Sequence, residues 1–282
     1  MIKKIIVPTD FSENALSATR YACELAKRNN YAIHLFHCYT SNSALFDQEK
    51  TNKGTSIPLL KADMLILDLK ESLQKEYPSL SFETTCTSGL LSEILPTVAD
   101  PSQYALIIMG TTGTGKGKSL VWGSNTSSIT TKARIPVIAI PNTTNEFSFQ
   151  KVGMLTNFKA EELDTLKEYL RLVSSIPLLD TIHVYRDSKD AREINEHLDT
   201  WSFNIRNLNG VEHVQTIAEP IHIENEDLDS VPEVINHIIK ENNYDMIVVT
   251  KTRKSFFERL FRPSVSKEIV LDLERPTFFD NN

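Results

Sequence analysis

The stretch with the most chemical content runs from Gly110 to Asn125. Gly110, Gly113, Gly115 and Gly117 fall within eight residues, and Gly123 stands just before Ser124. Glycine lets backbone amides approach a ligand with no Cβ in between, and it permits positive φ. The residues that follow, Ser124-Asn125-Thr126-Ser127-Ser128, read as the start of a helix. Such a start offers N–H groups without acceptors, several hydroxyls and about half a positive charge from the helix dipole. That combination suits an anion, and the phosphate chain of a nucleotide fits it. The second chemical feature is Pro8-Thr9-Asp10, which follows a short apolar run. A carboxylate there can accept from hydroxyls or from an exocyclic amine.

Two common glycine motifs fail. Gly110 to Lys116 satisfies seven positions of G-x-x-x-x-G-K-[ST], but the eighth is Gly117, which has no hydroxyl for a metal ion. A P-loop also runs straight into its helix, whereas Lys118 to Trp122 intervenes here. A dinucleotide fingerprint would follow the first strand, where no glycine occurs. Cys23, Cys38 and Cys86 share no metal-ligand or redox spacing and read as small core residues. His37 and His183 sit on buried-strand patterns and read as core histidines with satisfied ring nitrogens. No Ser-His-Asp, Cys-His or paired-carboxylate arrangement has a spacing that indicates catalysis. No catalytic residue is therefore expected, and no metal site independent of a nucleotide.

These features need elements to hold them. Ile2 to Pro8 is a short Ile/Val-rich run, so a buried strand. Ser12 can cap a helix through Leu16, Tyr21, Leu25 and Ala26. Residues 33–39 form a second strand, and Leu59 to Leu73 a helix that ends before Pro78. Residues 80–87, 105–109 and 136–140 are further strands, with short helices over 90–98 and 125–133. Strands alternating with helices imply parallel βαβ units with right-handed crossovers. In such a sheet ligands bind outside the carboxyl ends of the strands, which is where Asp10, Cys38 and the glycine loop fall.

The second half repeats the first. A shift of 140 lays 104–140 over 244–280 without a gap, with seven identities including Tyr104/Tyr244, Ser124/Ser264 and Pro136/Pro276. A shift of 147 pairs Thr9-Asp10-Phe11 with Thr156-Asn157-Phe158, and one of 146 pairs His37-Cys38-Tyr39 with His183-Val184-Tyr185. Offsets that drift by a few residues are what loop-length differences between duplicated domains produce. The expected architecture is α/β, with two tandem doubly wound five-stranded parallel-sheet domains over 1–141 and 147–282, joined by a polar linker at 142–146. Two domains also suit 282 residues at roughly 150 per domain.

Composition narrows the class. With 40% hydrophobic and 24% charged residues the chain is globular, not disordered or collagen-like. The net charge of −7 disfavours nucleic-acid and anionic-membrane partners. That charge is uneven: the first 140 residues hold 14 Lys+Arg against 12 Asp+Glu, so a polyanion would favour the first half. The apolar stretch after Lys3-Lys4 is too short for a signal peptide, which leads to a cytoplasmic expectation.

The loop also matches G-x2-G-x9-G-[ST] through Gly110, Gly113, Gly123 and Ser124. Together with Val7-Pro8-Thr9-Asp10, the His-x-Tyr strand 37–39 and the closing Ile135-Pro136-Val137, it makes the chain resemble the universal stress protein family in its tandem two-domain form. The resemblance covers nearly the whole chain. It implies a Rossmann-like, adenine nucleotide alpha hydrolase-like fold and a binding site for an adenine nucleotide, ATP with Mg. The residues it assigns to that ligand are Pro8, Thr9, Asp10, Cys38, Met109, Gly110, Gly113, Gly123, Ser124 and Asn125. Asp10 would meet the adenine or ribose end, Cys38 would line the adenine pocket through its backbone, and Gly110 and Gly113 would sit by the ribose and phosphates. Gly123, Ser124 and the amide of Asn125 would hold the phosphates.

The second copy departs from this pattern. It has Asn157 for Asp10, Thr250 for Gly110, Arg253 for Gly113 and Pro263 for Gly123, and only Ser264 matches Ser124. It is expected not to bind ATP but to complete the assembly. The two halves are expected to pair within the chain through 137–140 and 277–279, and a homodimer stays open. The expected role is a sensor or regulatory switch. A nucleotide-independent interaction module and a slow ATPase remain as alternatives.

Overall fold

The computed structural model describes residues 2–39, 56–111, 123–142, 144, 147–186, 191–222, 229–251 and 274–280. They fall into two compact units, divided in the chain after residue 142.

The first unit runs β1 (Lys4–Pro8), α1 (Glu13–Asn29), β2 (Ala32–Tyr39), α2 (Ser56–Glu76), β3 (Phe82–Ser88), α3 (Leu91–Val98), β4 (Tyr104–Gly110), α4 (Ser124–Lys132) and β5 (Val137–Ile140). Every strand pairing in it is parallel, in the order β3-β2-β1-β4-β5. The chain therefore winds outward from β1 in one direction and resumes from β4 in the other. The β1/β4 junction is the switch point, where adjacent crossovers leave in opposite directions and open a crevice at the carboxyl edge. Ile5, Ile6 and Val7 of β1 and Leu106, Ile107 and Ile108 of β4 are fully buried. Continuous apolar runs of this kind belong to parallel strands covered on both faces.

Helix α1 starts as its sequence requires. Ser12 is extended (φ −71, ψ 161) and its hydroxyl accepts from the Ala15 N–H at 3.2 Å. The helix ends at Asn30 in the left-handed region (φ 54), with Lys27 and Arg28 in its last turn.

The second unit runs β6 (Lys151–Leu155), α5 (Ala160–Val173), β7 (Ile176–Tyr185), α6 (Ala191–Arg206), β8 (Val211–Pro220), α7 (Val231–Asn242), β9 (Met246–Thr250) and β10 (Thr277–Asp280). Its strands are again parallel, in the order β10-β9-β6-β7-β8. The repeat is kept at the level of register. Gly110 pairs with Ile140 in the first unit and Thr250 with Asp280 in the second, both at the shift of 140. The amino edges of the two sheets also correspond. In the first, the Tyr104 hydroxyl lies 2.7 Å from His34 Nδ1, with Lys4 over the Tyr104 ring. In the second, the Tyr244 hydroxyl donates to the buried Asp180 at 2.9 Å, with Lys151 over the Tyr244 ring.

Candidate functional site: a crevice at the switch point

A cleft of about 430 Å³ opens at the carboxyl edge of the first sheet. That is within the range of about 300–1,000 Å³ typical of small-molecule sites. Its walls come from four places. Pro8, Thr9 and Asp10 follow β1, and Cys38 lies near the end of β2. Met109, Gly110 and Thr111 end β4, and Gly123, Ser124, Asn125 and Thr126 begin α4. Nine of the ten residues named from the sequence line this one cleft, and Gly113 lies outside the described residues. Lys116, Lys118 and Trp122 also lie outside them.

The floor at Gly110 depends on the absence of a side chain. A Cβ there would stand 2.5 Å from the Asn14 side-chain oxygen and 3.2 Å from its backbone oxygen. The Asn14 amide meanwhile donates to the Ile140 carbonyl at 3.0 Å, so it has little freedom to retreat. The Thr126 hydroxyl donates back to the Gly110 carbonyl at 3.1 Å, which ties α4 to the end of β4.

At the phosphate-like end the geometry assigns Gly123 a different task from the one its sequence position suggests. Its N–H donates to the Thr111 carbonyl at 2.9 Å. Gly123 is the N-cap of α4, and the Ser127 N–H returns to its carbonyl at 3.1 Å. The N–H groups of Ser124, Asn125 and Thr126 precede that bond and have no acceptor within the helix. They, not Gly123, present donors to an anion, aided by the helix dipole.

At the other end, the Asp10 carboxylate accepts from the Ser12 N–H at 3.1 Å and from the Ser12 hydroxyl at 2.6 Å. Asp10 therefore organises the turn into α1 while lining the cleft. Burial pushes the Cys38 thiol up to about 11, and those of Cys23 and Cys86 up to about 12. All three stay protonated near neutrality, so the cleft holds no thiolate nucleophile.

Ala15, Leu91 and Thr111 also line the cleft, although the sequence did not single them out. Ala15 had a usable signal: at the shift of 147 it stands opposite Glu162, a small residue against a charged one.

The same edge of the second unit is built on the same turn but filled differently. Glu162 is buried, and its carboxylate accepts from the Thr156 hydroxyl at 2.5 Å and from the Asn157 N–H at 2.9 Å. It stands on the third residue of α5, where Ala15 stands on α1. Burial raises the Glu162 carboxyl above its ordinary range, partly offset by those hydrogen bonds. Lys251 and Asp280 are likewise buried, at the places of Thr111 and Ile140. Burial pulls the Lys251 ammonium down to about 8, with Asp280 working the other way.

A family model described as the universal stress protein family matches residues 1–141 and 160–278. None of the curated proteins compared matches the chain. Solved structures match along nearly the full length of both partners, two of them named as universal stress proteins. A universal stress protein from Archaeoglobus fulgidus is 14% identical, with a TM-score of 0.68 over 99% of this chain and 98% of its own. A putative universal stress protein from Pseudomonas aeruginosa is 15% identical, with a TM-score of 0.63 over 99% and 93%. The fold likeness and the two matched segments agree with the internal repeat, and the chain belongs to the universal stress protein family.

Proposed function

We propose that the first unit binds an adenine nucleotide, ATP with Mg, in the switch-point crevice and uses the bound state as a regulatory signal. One observation carries this reading: Asp10, the bare Gly110 edge and the N-terminus of α4 converge on one cleft of nucleotide size. The N–H groups of Ser124 to Thr126 suit phosphate oxygens, and the Asp10 carboxylate suits a hydroxyl or amine at the opposite end. Among the described residues no three His, Cys, Asp or Glu side chains cluster as a metal site. Mg fits nonetheless, because it keeps its waters and takes phosphate oxygens plus one or two protein oxygens. The Ser124 hydroxyl, at the phosphate end of the cleft, is the candidate.

In this proposal the second unit is a structural, non-binding copy. Buried Glu162 and Asp280 carboxylates at its carboxyl edge would repel phosphates, and Pro263 has no N–H to offer. Pairing of the two halves within one chain and a cytoplasmic setting belong to the same proposal. Among the described residues no helix is long and apolar enough to cross a membrane.

The test is thermal stability in saturating Mg·ATP. Binding to the native state alone raises the melting temperature, by about 2.7 kcal/mol of stabilisation at 100 times Kd. Gly123→Val would place a Cβ 3.2 Å from the Thr111 oxygen and two methyl groups beyond it, so it is expected to abolish the rise. Unchanged melting of the wild-type protein in Mg·ATP overturns the reading.

A further inference from the structure

His37 does not line the crevice, yet its ring holds the turn that does. It is buried (4% exposed), and its Nδ1 lies 2.7 Å from the Thr9 carbonyl oxygen. A carbonyl can only accept, so Nδ1 carries the proton and the tautomer is set. Nε2 is buried and has no hydrogen-bond partner among the described residues, and the Nδ1 contact goes to the backbone of the turn. The Phe11 ring packs against it at 4.6 Å between centroids, tilted by 43°, and the Phe11 φ of 63° is a conformation that bulky residues rarely adopt. The Phe11 N–H donates to the Thr9 hydroxyl at 3.0 Å, and the Thr9 N–H donates to the Phe36 carbonyl at 2.9 Å. The Thr9-Asp10-Phe11 turn is thus held from below by His37 and pinned at both of its ends. Asp10 is the middle residue of that turn and lines the cleft.

The second unit repeats the device in a different chemical setting. His183 Nδ1 lies 2.9 Å from the Thr156 carbonyl oxygen, and Phe158 (φ 61°) packs against the ring at 4.6 Å, tilted by 39°. Only the middle residue differs, Asn157 in place of Asp10. A strained backbone persists only where its surroundings over-determine it. It is present in both copies, each time with the Phe N–H bond to the Thr hydroxyl and with the His–Thr carbonyl contact, here called the clamp.

We propose that His37 is a positioning residue for the nucleotide site: through the Thr9 carbonyl it sets the direction in which Asp10 faces the ligand. The inference rests on the proposed nucleotide binding, and the experiment separates the two. ATP is titrated calorimetrically into the wild-type full chain and into His37→Leu, His37→Asn and His183→Leu. Losing one buried hydrogen bond to the turn is expected to weaken ATP binding by roughly tenfold in His37→Leu. His37→Asn keeps an N–H near the Nδ1 position and is expected to stay within about threefold of wild type. His183→Leu removes the same contact from the other copy and is expected to lose stability while binding ATP normally.

Equal binding by wild type and His37→Leu overturns the positioning role, as does equal weakening by His183→Leu. No binding by the wild-type chain overturns the nucleotide reading itself. Imidazole 15N shifts of the wild-type protein give a check that needs no variant. A proton on Nδ1 of His37 supports the clamp, and a proton on Nε2 with Nδ1 bare overturns it.

Discussion

At the residue scale, the two copies put an acidic side chain at the start of the same helix by different routes. In the first, Asp10 stands in the turn and borders the cleft. In the second, Glu162 reaches back from the third helical position and is buried. A carboxylate near a helix N-terminus is favourable in either place. The routes differ in what they leave open, since Ala15 leaves space where Glu162 takes it. Glu162→Ala is expected to cost about 1–3 kcal/mol, because it strips the acceptor from a buried hydroxyl and a half-buried N–H. The pH dependence has a definite sign. Burial raises the Glu162 carboxyl in the folded state above its unfolded value of about 4.3. Its contribution is then fully present below that value and is lost as pH rises through the folded pKa. Relative to Glu162→Gln, the wild-type protein should lose stability as pH rises from about 4 towards neutrality, as read by denaturant unfolding at a series of pH values. A gap between the two proteins that stays constant with pH would mean that Glu162 ionises as freely in the fold as in the unfolded chain.

Elements carry a second kind of information. Helix α2 is apolar on more than one side. Ala62, Ile66 and Leu73 are buried, whereas Leu60, Met64 and Leu67 are exposed. Helical periodicity cannot separate these sets, since the first is spaced by four and seven residues and the second by four and three, all helical intervals. Packing separates them. Ile66→Ala is expected to cost about 2–5 kcal/mol through the cavity it leaves. Met64→Ala should change stability by less than about 0.5 kcal/mol. Thermal or chemical unfolding of the two variants distinguishes them, and similar losses would mean that Met64 is covered in solution. The strands behave differently: β1, β4 and β5 read correctly as buried runs because parallel strands have no solvent face to break the pattern.

For the whole molecule, duplication means that one chain contains its own control. The units share strand order, register and the His–Thr clamp, and differ in what fills the carboxyl edge. If only the first unit binds, Mg·ATP should slow amide hydrogen exchange in the 9–15 turn and in α4. The 156–162 turn of the second unit should exchange as before. Equal slowing of both turns would show that the second copy binds as well. Because ligand protection is set by the ratio of concentration to Kd, the effect should grow with the logarithm of ATP concentration.

The amino-acid sequence alone determined the α/β class, the duplication with its drifting offsets, and the convergence of Asp10, Cys38, Gly110 and the α4 start on one edge. These are local or periodic properties, and the right-handed βαβ rule carries them to a common side of the sheet. Tertiary structure decided which groups are spent and which are offered. Gly123 spends its N–H on Thr111, and Asn14, 96 positions before Gly110 in the chain, is the reason that Gly110 cannot carry a side chain. It also decided that His37 serves the turn, and that Glu162 and Lys251 are buried. Hydrogen-bond partners and burial depend on residues far apart in the chain meeting in space, and no spacing within a single stretch encodes that meeting.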